Sequence, residues 1–336
     1  MYSGEVVEEG TINSLFTWPK HPYTHGFFSC IPLPTADKNA APLKPIRGQL
    51  PLPFERPKGC YFGPRCDHFK LGLCDQDHFR METVEGRATD HRVRCLQYKK
   101  IDHAKKDLGD PVKESLDIGR RVLNVDGMKK YYEVKDTSLM ALISGKSIRH
   151  VKANEELNFT AHESETVAIV GESGCGKSTF AKVLMGLETG TEGEIRHNGK
   201  DISEIEVRDR STKQIRSLQM VFQNPFDTLN PSHSIGGQIS RVLKQFGVET
   251  EKKKIFNRVM TLLDTVKLPR DFYFRKPRQL SGGQKQRIGI ARAFAGNPSI
   301  VIADEPVSAL DVSVAAAVTE LLMDIQREHK TTLLFI

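Results

Sequence analysis

The chain has 336 residues, 38% hydrophobic and 27% charged, with a net charge of +7 from 49 basic and 42 acidic side chains. That length admits about two domains, and no apolar run approaches the roughly 18 residues of a membrane span. The opening MYSGEVVEEG is acidic and strand-like, unlike a secretion signal. The two signs of charge are interspersed without a run of five, so the basic balance does not single out nucleic acid as a partner. A cytosolic chain that touches a membrane only through partners is expected.

Ten of the 17 prolines fall between Pro19 and Pro64, in stretches such as IPLP and GQLPLPFERP. Such segments are expected to be extended and loop-rich, since proline lacks the N–H that a helix interior or central strand needs. Four of the six cysteines follow, at Cys60, Cys66, Cys74 and Cys95. Reducing surroundings disfavour disulfides, so a clustered quartet suggests a metal or cluster. Structural zinc prefers tight Cys-x2–4-Cys pairs, and loose spacing on a Pro/Gly-rich loop suits an iron–sulfur cluster better. Zinc and unliganded thiols stay as alternatives. Cys30, beside Phe27 and Phe28, reads as packing, and Cys175 as a small loop residue. His21 and His25 stand four apart, but HPYT reads as a turn and argues against a metal there. The charged stretch 99–121 reads as a linker.

From Val122 onward, β-rich runs (RVLNV, TVAIVG, SIVIAD) alternate with helical patterns (IFNRVMTLLDTVKL, VAAAVTELLMDIQRE). That alternation predicts an α/β domain around a mostly parallel sheet. Within it, Gly171, Glu172, Ser173, Gly174, Cys175, Gly176, Lys177, Ser178 and Thr179 follow a β-branched run and precede a helical pattern. This is the strand–loop–helix setting of a phosphate loop. Its glycines let backbone N–H groups wrap phosphates at a helix N-terminus. Lys177 would reach the β- and γ-phosphates and Ser178 would ligate Mg²⁺. SIVIADEP ends an apolar strand in Asp304 and Glu305, where one carboxylate can hold Mg²⁺ and the next can polarise water. LSGGQKQR places Ser281, Gly282, Gly283 and Gln284 at a helix start, a second anion-binding nest.

An LSGGQ between a phosphate loop and a DEP strand resembles the signature of ABC-transporter ATPases. Gln223 in MVFQNPFDTLNP is similar to that family's Q-loop, Asp311 in SALD to its D-loop, and Tyr132 to the aromatic that stacks on adenine. The resemblance implies a P-loop NTPase with a RecA-like core and a helical lobe over about 224–279. It implies ATP held head to tail between the phosphate loop of one domain and Ser281, Gly282, Gly283 and Gln284 of another. Mg²⁺ would lie on Ser178, Gln223 and Asp304, and Glu305 would be the general base. Gln223 would connect the site to membrane permease subunits. Ser164 departs from the family, which has glycine in the turn before this strand, and a small local strain is expected there.

In that family the strand after the D-loop helix runs into a Ser-His or Thr-His switch, and TTLLFI ends where the His should begin. HPYT, GQLPLP and GCYFGPRC resemble the C-terminal end of a nucleotide-binding domain in the dipeptide/oligopeptide/nickel importer subfamily. The expected organisation is the tail and Cys-rich extension of a first ATPase domain over 1–98, a linker over 99–121, and a second ATPase domain over 122–336, truncated before the switch His. The resemblance implies the middle of a tandem-fused importer ATPase. Some members of the subfamily carry a [4Fe–4S] cluster in that extension, which the resemblance assigns to Cys60, Cys66, Cys74 and Cys95. The function implied is ATP binding and hydrolysis energising a bacterial ABC importer for peptides or related small solutes. The chain would be peripheral on the cytoplasmic face of the inner membrane, with a second ATPase domain and permease subunits as partners and a solute-binding protein as an indirect one. Two alternatives stand beside it: a hydrolysis-deficient fragment that binds nucleotide and cluster, and a soluble ABC ATPase acting on nucleic acid.

Overall fold

The computed structural model describes residues 2–3, 5–30, 46–48, 57–76, 80–85, 91–101, 119–135, 148–172, 174–224 and 228–336. The IPLP stretch, most of GQLPLPFERP, most of the 99–121 linker and Ser173 lie outside them. The chain folds into two units, Met1–Glu114 with Leu310–Glu320, and Ser115–Ala309 with Leu321–Ile336.

The first unit holds strand β1 (Glu8–Glu9), helices α1 (Ile12–Thr17) and α2 (Pro22–Ser29), and strands β2 (Glu82–Thr83) and β3 (Arg92–Val93). The strands form an antiparallel sheet in the order β1-β3-β2. HPYT opens a helix here, where a turn was expected. Pro22 takes the first helical position, where its missing N–H costs nothing. His21 caps the helix, its Nδ1 accepting from the Tyr23 N–H at 3.0 Å. The Glu8 carboxylate is buried and fully engaged, accepting from Lys20 N at 2.7 Å, His21 N at 3.0 Å and the His91 Nε2–H at 2.8 Å. Three chain segments are tied by this one acid, so removing it would leave several buried donors unpaired.

The second unit runs β4 (Arg121–Lys135), β5 (Ile148–His162), β6 (Thr166–Ala168), α3 (Lys177–Met185), β7 (Glu192–His197), β8 (Lys200–Asp201), α4 (Thr212–Ser217), β9 (Leu218–Val221), α5 (Ile235–Gln245), α6 (Lys252–Thr265), α7 (Gly282–Phe294), β10 (Ile300–Ala303), α8 (Val312–His329) and β11 (Thr332–Phe335). The first turns of α8 are grouped with the first unit. Strands β6, β11, β10 and β9 form the expected parallel sheet in that order. Its central strand, Ile-Val-Ile-Ala, is buried throughout, as a strand covered on both faces must be. The alternation did not announce a second sheet, antiparallel in the order β5-β4-β7-β8. Phe180 and Leu184 of α3 share one apolar core with Leu123 and Ile195 of the antiparallel sheet and with Ile300, Ile302 and Leu334 of the parallel one. Helices α5 and α6 bury Ile235, Ile239, Leu243, Ile255, Val259 and Leu263, and make the helical lobe.

His197, at the end of β7, sits 3.0 Å from Ser299 Oγ and 3.0 Å from Asn198 Nδ2, and burial pushes its pKa down to about 4. A histidine neutral in the fold binds its proton first in the unfolded chain, near pH 6.5. Stability carried by this group is therefore complete above about pH 6.5 and is lost as pH falls toward 4. The His197→Gln variant is expected to lack that component when melting temperature is followed across this window. Parallel curves for the two proteins would refute it.

Ser164, in the turn between β5 and β6, adopts φ 66, the left-handed conformation that only glycine enters without strain. Ser164→Gly is expected to stabilise the protein by about 1 kcal/mol, less the added freedom of glycine in the unfolded chain. A rise of about 2 °C in a thermal melt is the reading that checks it. A fall would show that the Ser164 hydroxyl, which donates to Lys330 O at 3.4 Å, outweighs the strain.

Candidate nucleotide-binding site

Strand β6 delivers the chain to the loop that opens α3. Gly176 at its N-cap has φ 99, and a Cβ there would lie 2.1 Å from Ala153 O, so this position admits only glycine. Asn154 of β5 fixes the loop from behind, donating from Nδ2 to Gly176 O at 3.1 Å. Lys177 folds back over the loop, its Nζ donating to Gly171 O at 2.7 Å and Glu172 O at 2.8 Å, with Cys175 Sγ at 3.7 Å. Those carbonyls hold the ammonium where phosphate oxygens would compete for it. The loop is an open, exposed cradle; Gly171, Glu172, Gly174, Cys175 and Ser178 all reach solvent.

Two carboxylates flank it at the end of β10. Ser178 Oγ donates to Asp304 Oδ1 at 3.4 Å, a long contact with room for an ion to be shared by the two oxygens. Burial raises the pKa of Asp304, with the Ser178 hydroxyl opposing that shift. Gln223, two residues past β9, donates from Nε2 to Glu305 Oε2 at 2.6 Å. Glu305 has φ 41, and its N–H is held by Ile336 O at 3.0 Å. Ser178, Asp304, Gln223 and Glu305 thus lie together at the ends of α3, β9 and β10.

Tyr132 lies on the side of α3, its hydroxyl 2.5 Å from Glu188 Oε2 and hydrogen-bonded to Thr179, with Lys130 Nζ 5.0 Å from the ring centroid. The neighbouring Tyr131 instead donates to Glu155. At the signature, Ser281 is the N-cap of α7, and Ser281 and Gln284 form a reciprocal capping box with Gly282 and Gly283 in the first turn. Asp311 Oδ1 accepts from Ser313 Oγ at 2.8 Å and Val314 N at 3.1 Å, and so caps the start of α8.

Three participants carried no signal in the sequence. Asn154 is a lone polar residue in a strand, Glu188 is an acid after a helix, and Gln286 donates from α7 to Phe222 O, next to Gln223, at 3.3 Å. Each acquires meaning only from what the fold places beside it.

The four cysteines are in the first unit, and all six cysteines of the chain are free thiols. Cys60, Cys66, Cys74 and Cys95 line one small cavity with His21, His68, Phe62, Phe69 and Gln97. Gly59 makes this possible: at φ 73, a Cβ would stand 2.3 Å from Cys74 O, and the Cys60 N–H bonds that carbonyl at 2.9 Å. Burial pushes Cys66 up to about 11 and Cys95 up to about 12. Among the described residues no three His, Cys, Asp or Glu side chains are arranged to hold a metal ion. That observation bears on the zinc and the iron–sulfur readings alike.

Residues 154–308 match the family described as ABC transporter, and residues 7–74 match the oligopeptide/dipeptide transporter C-terminal region. The oligopeptide transport ATP-binding protein OppF of Bacillus subtilis is 43% identical over 186 residues, covering 55% of this chain and 61% of that one. OppD of Mycobacterium tuberculosis is 33% identical over 341 residues, covering 100% of this chain and 54% of that one. A dimeric post-hydrolysis structure of the ATP-binding cassette MJ0796 has a TM-score of 0.54 at 28% identity, covering 63% of this chain and 86% of that one. The chain spans just over half to about two-thirds of the length of these curated relatives. Its second unit is a P-loop NTPase of the ABC ATPase class. Within that class the chain is similar to oligopeptide/dipeptide transport ATP-binding proteins, and the match to their C-terminal region stands here ahead of the match to the cassette.

Proposed function

We propose that this chain binds and hydrolyses MgATP to energise a bacterial ABC importer for peptides or related small solutes. The observation that carries this is the pairing of Ser178 with Asp304 and of Gln223 with Glu305 beside the Lys177 loop. In this reading residues 171–179 and Tyr132 bind ATP, Ser178, Gln223 and Asp304 hold Mg²⁺, and Glu305 activates water. Ser281, Gly282, Gly283 and Gln284 complete the site of a second ATPase domain, and Asp311 belongs to the same head-to-tail dimer. Membrane-spanning permease subunits receive the motion, and a solute-binding protein acts through them. Among the described residues no helix is long and apolar enough to cross a membrane; a peripheral place on the cytoplasmic face of the inner membrane follows from the importer reading alone.

The order of parts supports a tandem arrangement: the tail of one ATPase domain over 1–98, a linker over 99–121, and a second domain from 122. The C-terminal-region match precedes the cassette match, and the mycobacterial OppD aligns along the whole chain. Reconstitution tests the importer reading. Hydrolysis stimulated by the permease subunits and indifferent to DNA or RNA is expected; stimulation by nucleic acid alone would replace it with the soluble ATPase alternative.

The same reading gives Cys60, Cys66, Cys74 and Cys95 a [4Fe–4S] cluster, which spreads four thiolates around a volume larger than one ion. The cavity that the four cysteines share is the observation behind it. The raised thiol pKa values mean that loading releases protons. Anaerobically purified protein is expected to be brown and to contain iron and sulfide, and Cys66→Ser to bleach it. Colourless, iron-free wild type would end the cluster reading and leave the nucleotide site untouched.

A further inference from the structure

Strand β5 passes directly behind the phosphate loop, where a Cβ at Gly176 would lie 2.1 Å from Ala153 O and 2.6 Å from Asn154 Nδ2. Between Val151 and Asn158 only Asn154 is fully buried, at 6% exposure. A buried strand position ordinarily takes an apolar residue. The carboxamide is also only half used. Its Nδ2 donates to Gly176 O at 3.1 Å, while its Oδ1 is buried and meets no donor among the described residues. A buried acceptor left unpaired destabilises the fold, and places where a sequence breaks a local rule at such a cost tend to be functional. Gly176 O does not need Asn154 as a partner, since it already accepts the first helical hydrogen bond, from Phe180 N at 2.9 Å. What Asn154 adds is a tie from outside the helix. Gly176 has φ 99 and no side-chain cap, and glycine has the freest backbone of any residue. Without the strand, the peptide between Gly176 and Lys177 would be held only by a helix end, and helix ends fray. In a trans peptide the N–H points away from the C=O. Pinning Gly176 O from β5 therefore aims the Lys177 N–H out of the start of α3, where an anion is received.

We infer that Asn154 is a positioning residue for the phosphate loop, holding the peptide between Gly176 and Lys177 so that its N–H faces bound phosphate, at a cost in stability. The inference rests on the nucleotide-binding reading above. It carries two consequences of opposite sign. An apolar side chain of similar size removes the buried unpaired oxygen and leaves Gly176 O with its Phe180 partner, so the ligand-free fold gains. The same change frees the peptide, and binding must then order it, so affinity falls. A residue that served packing alone would leave affinity where it was, or lower stability and affinity together.

The test uses the full chain as wild type, Asn154→Leu and Asn154→Met, two apolar shapes of which methionine adapts better to an irregular space. The three proteins are compared by melting temperature without nucleotide, by MgATP affinity from titration with a fluorescent analogue, and by amide hydrogen exchange. The expected result is a melting temperature equal to wild type or higher by about 2–4 °C, with MgATP affinity lower by about tenfold, the worth of one hydrogen bond. Exchange in the nucleotide-free variants is expected to quicken across residues 171–180 and nowhere else. Unchanged affinity in a folded variant, or a joint fall of melting temperature and affinity in both variants, overturns the inference and leaves Asn154 as packing. A wild type that binds no MgATP fails at the nucleotide reading instead, and the exchange across 171–180 then decides alone whether Asn154 holds the loop.

Discussion

Lys177→Ala is expected to weaken MgATP binding by at least a hundred-fold, read from titration with a fluorescent ATP analogue. The Lys177 ammonium donates to two carbonyl oxygens of the loop, Gly171 O and Glu172 O, at 2.7 and 2.8 Å. Triphosphate oxygens offer full negative charge in the same place, so the exchange favours the ligand. Truncating one partner of a close charge pair costs about 2–5 kcal/mol, and each ~1.4 kcal/mol is tenfold in affinity. The remaining N–H groups at the start of α3 supply only a partial charge and leave most of the phosphate charge without a partner. Alanine is a good helix former, and a cation in the first turn opposes the helix dipole, so the fold should not suffer. An unchanged melting temperature with lost binding separates the two effects. Unchanged affinity would remove the phosphate-loop assignment.

The residues around this lysine were legible because their chemistry is local. The glycines, Lys177 and Ser178 occupy one turn, and β10 is a short continuous apolar run ending in two acids, a pattern that burial on both faces imposes. The pairing of Gln223 with Glu305 was not local, but both lie at the carboxyl ends of neighbouring parallel strands, β9 and β10, where the topology gathers ligands. The antiparallel sheet was hidden for the opposite reason. Strands β4 and β5 are each 15 residues long, with register shifts between Val125 and Met128 and again near Lys130. Each shift breaks the alternation that would mark a strand.

HPYT resembles a turn because its cap is an imidazole, while the usual N-cap side chains are Ser, Thr, Asp and Asn. Proline at the first helical position was the available signal. The cysteine spacings suggested ligands without showing that they meet. Convergence depends on Gly59 admitting the Cys74 carbonyl, and no count of intervening residues reveals that contact.

Glu305→Gln is expected to leave MgATP bound at near wild-type affinity while turnover falls by about 10²–10⁴, the range for loss of a general base. The carboxylate sits at the end of β10 with its backbone N–H held by Ile336 O, and Gln223 Nε2 donates to one of its oxygens at 2.6 Å. That bond fixes the side chain and leaves the other oxygen, Oε1, to take a proton from water. Glutamine has the same size and its oxygen can still accept from Gln223, so position and packing survive while basicity does not. The adjacent acid should behave differently. Asp304 is the acid paired with Ser178, so under the proposed reading Asp304→Asn is expected to shift the magnesium dependence of binding as well as the rate. Lys177→Ala, Asp304→Asn and Glu305→Gln then fail at three separate stages: nucleotide binding, metal dependence and turnover. A Glu305→Gln protein that hydrolyses ATP at the wild-type rate would mean that another group activates the water, and the contact between Gln223 and Glu305 would stand only as a structural tie between the ends of β9 and β10.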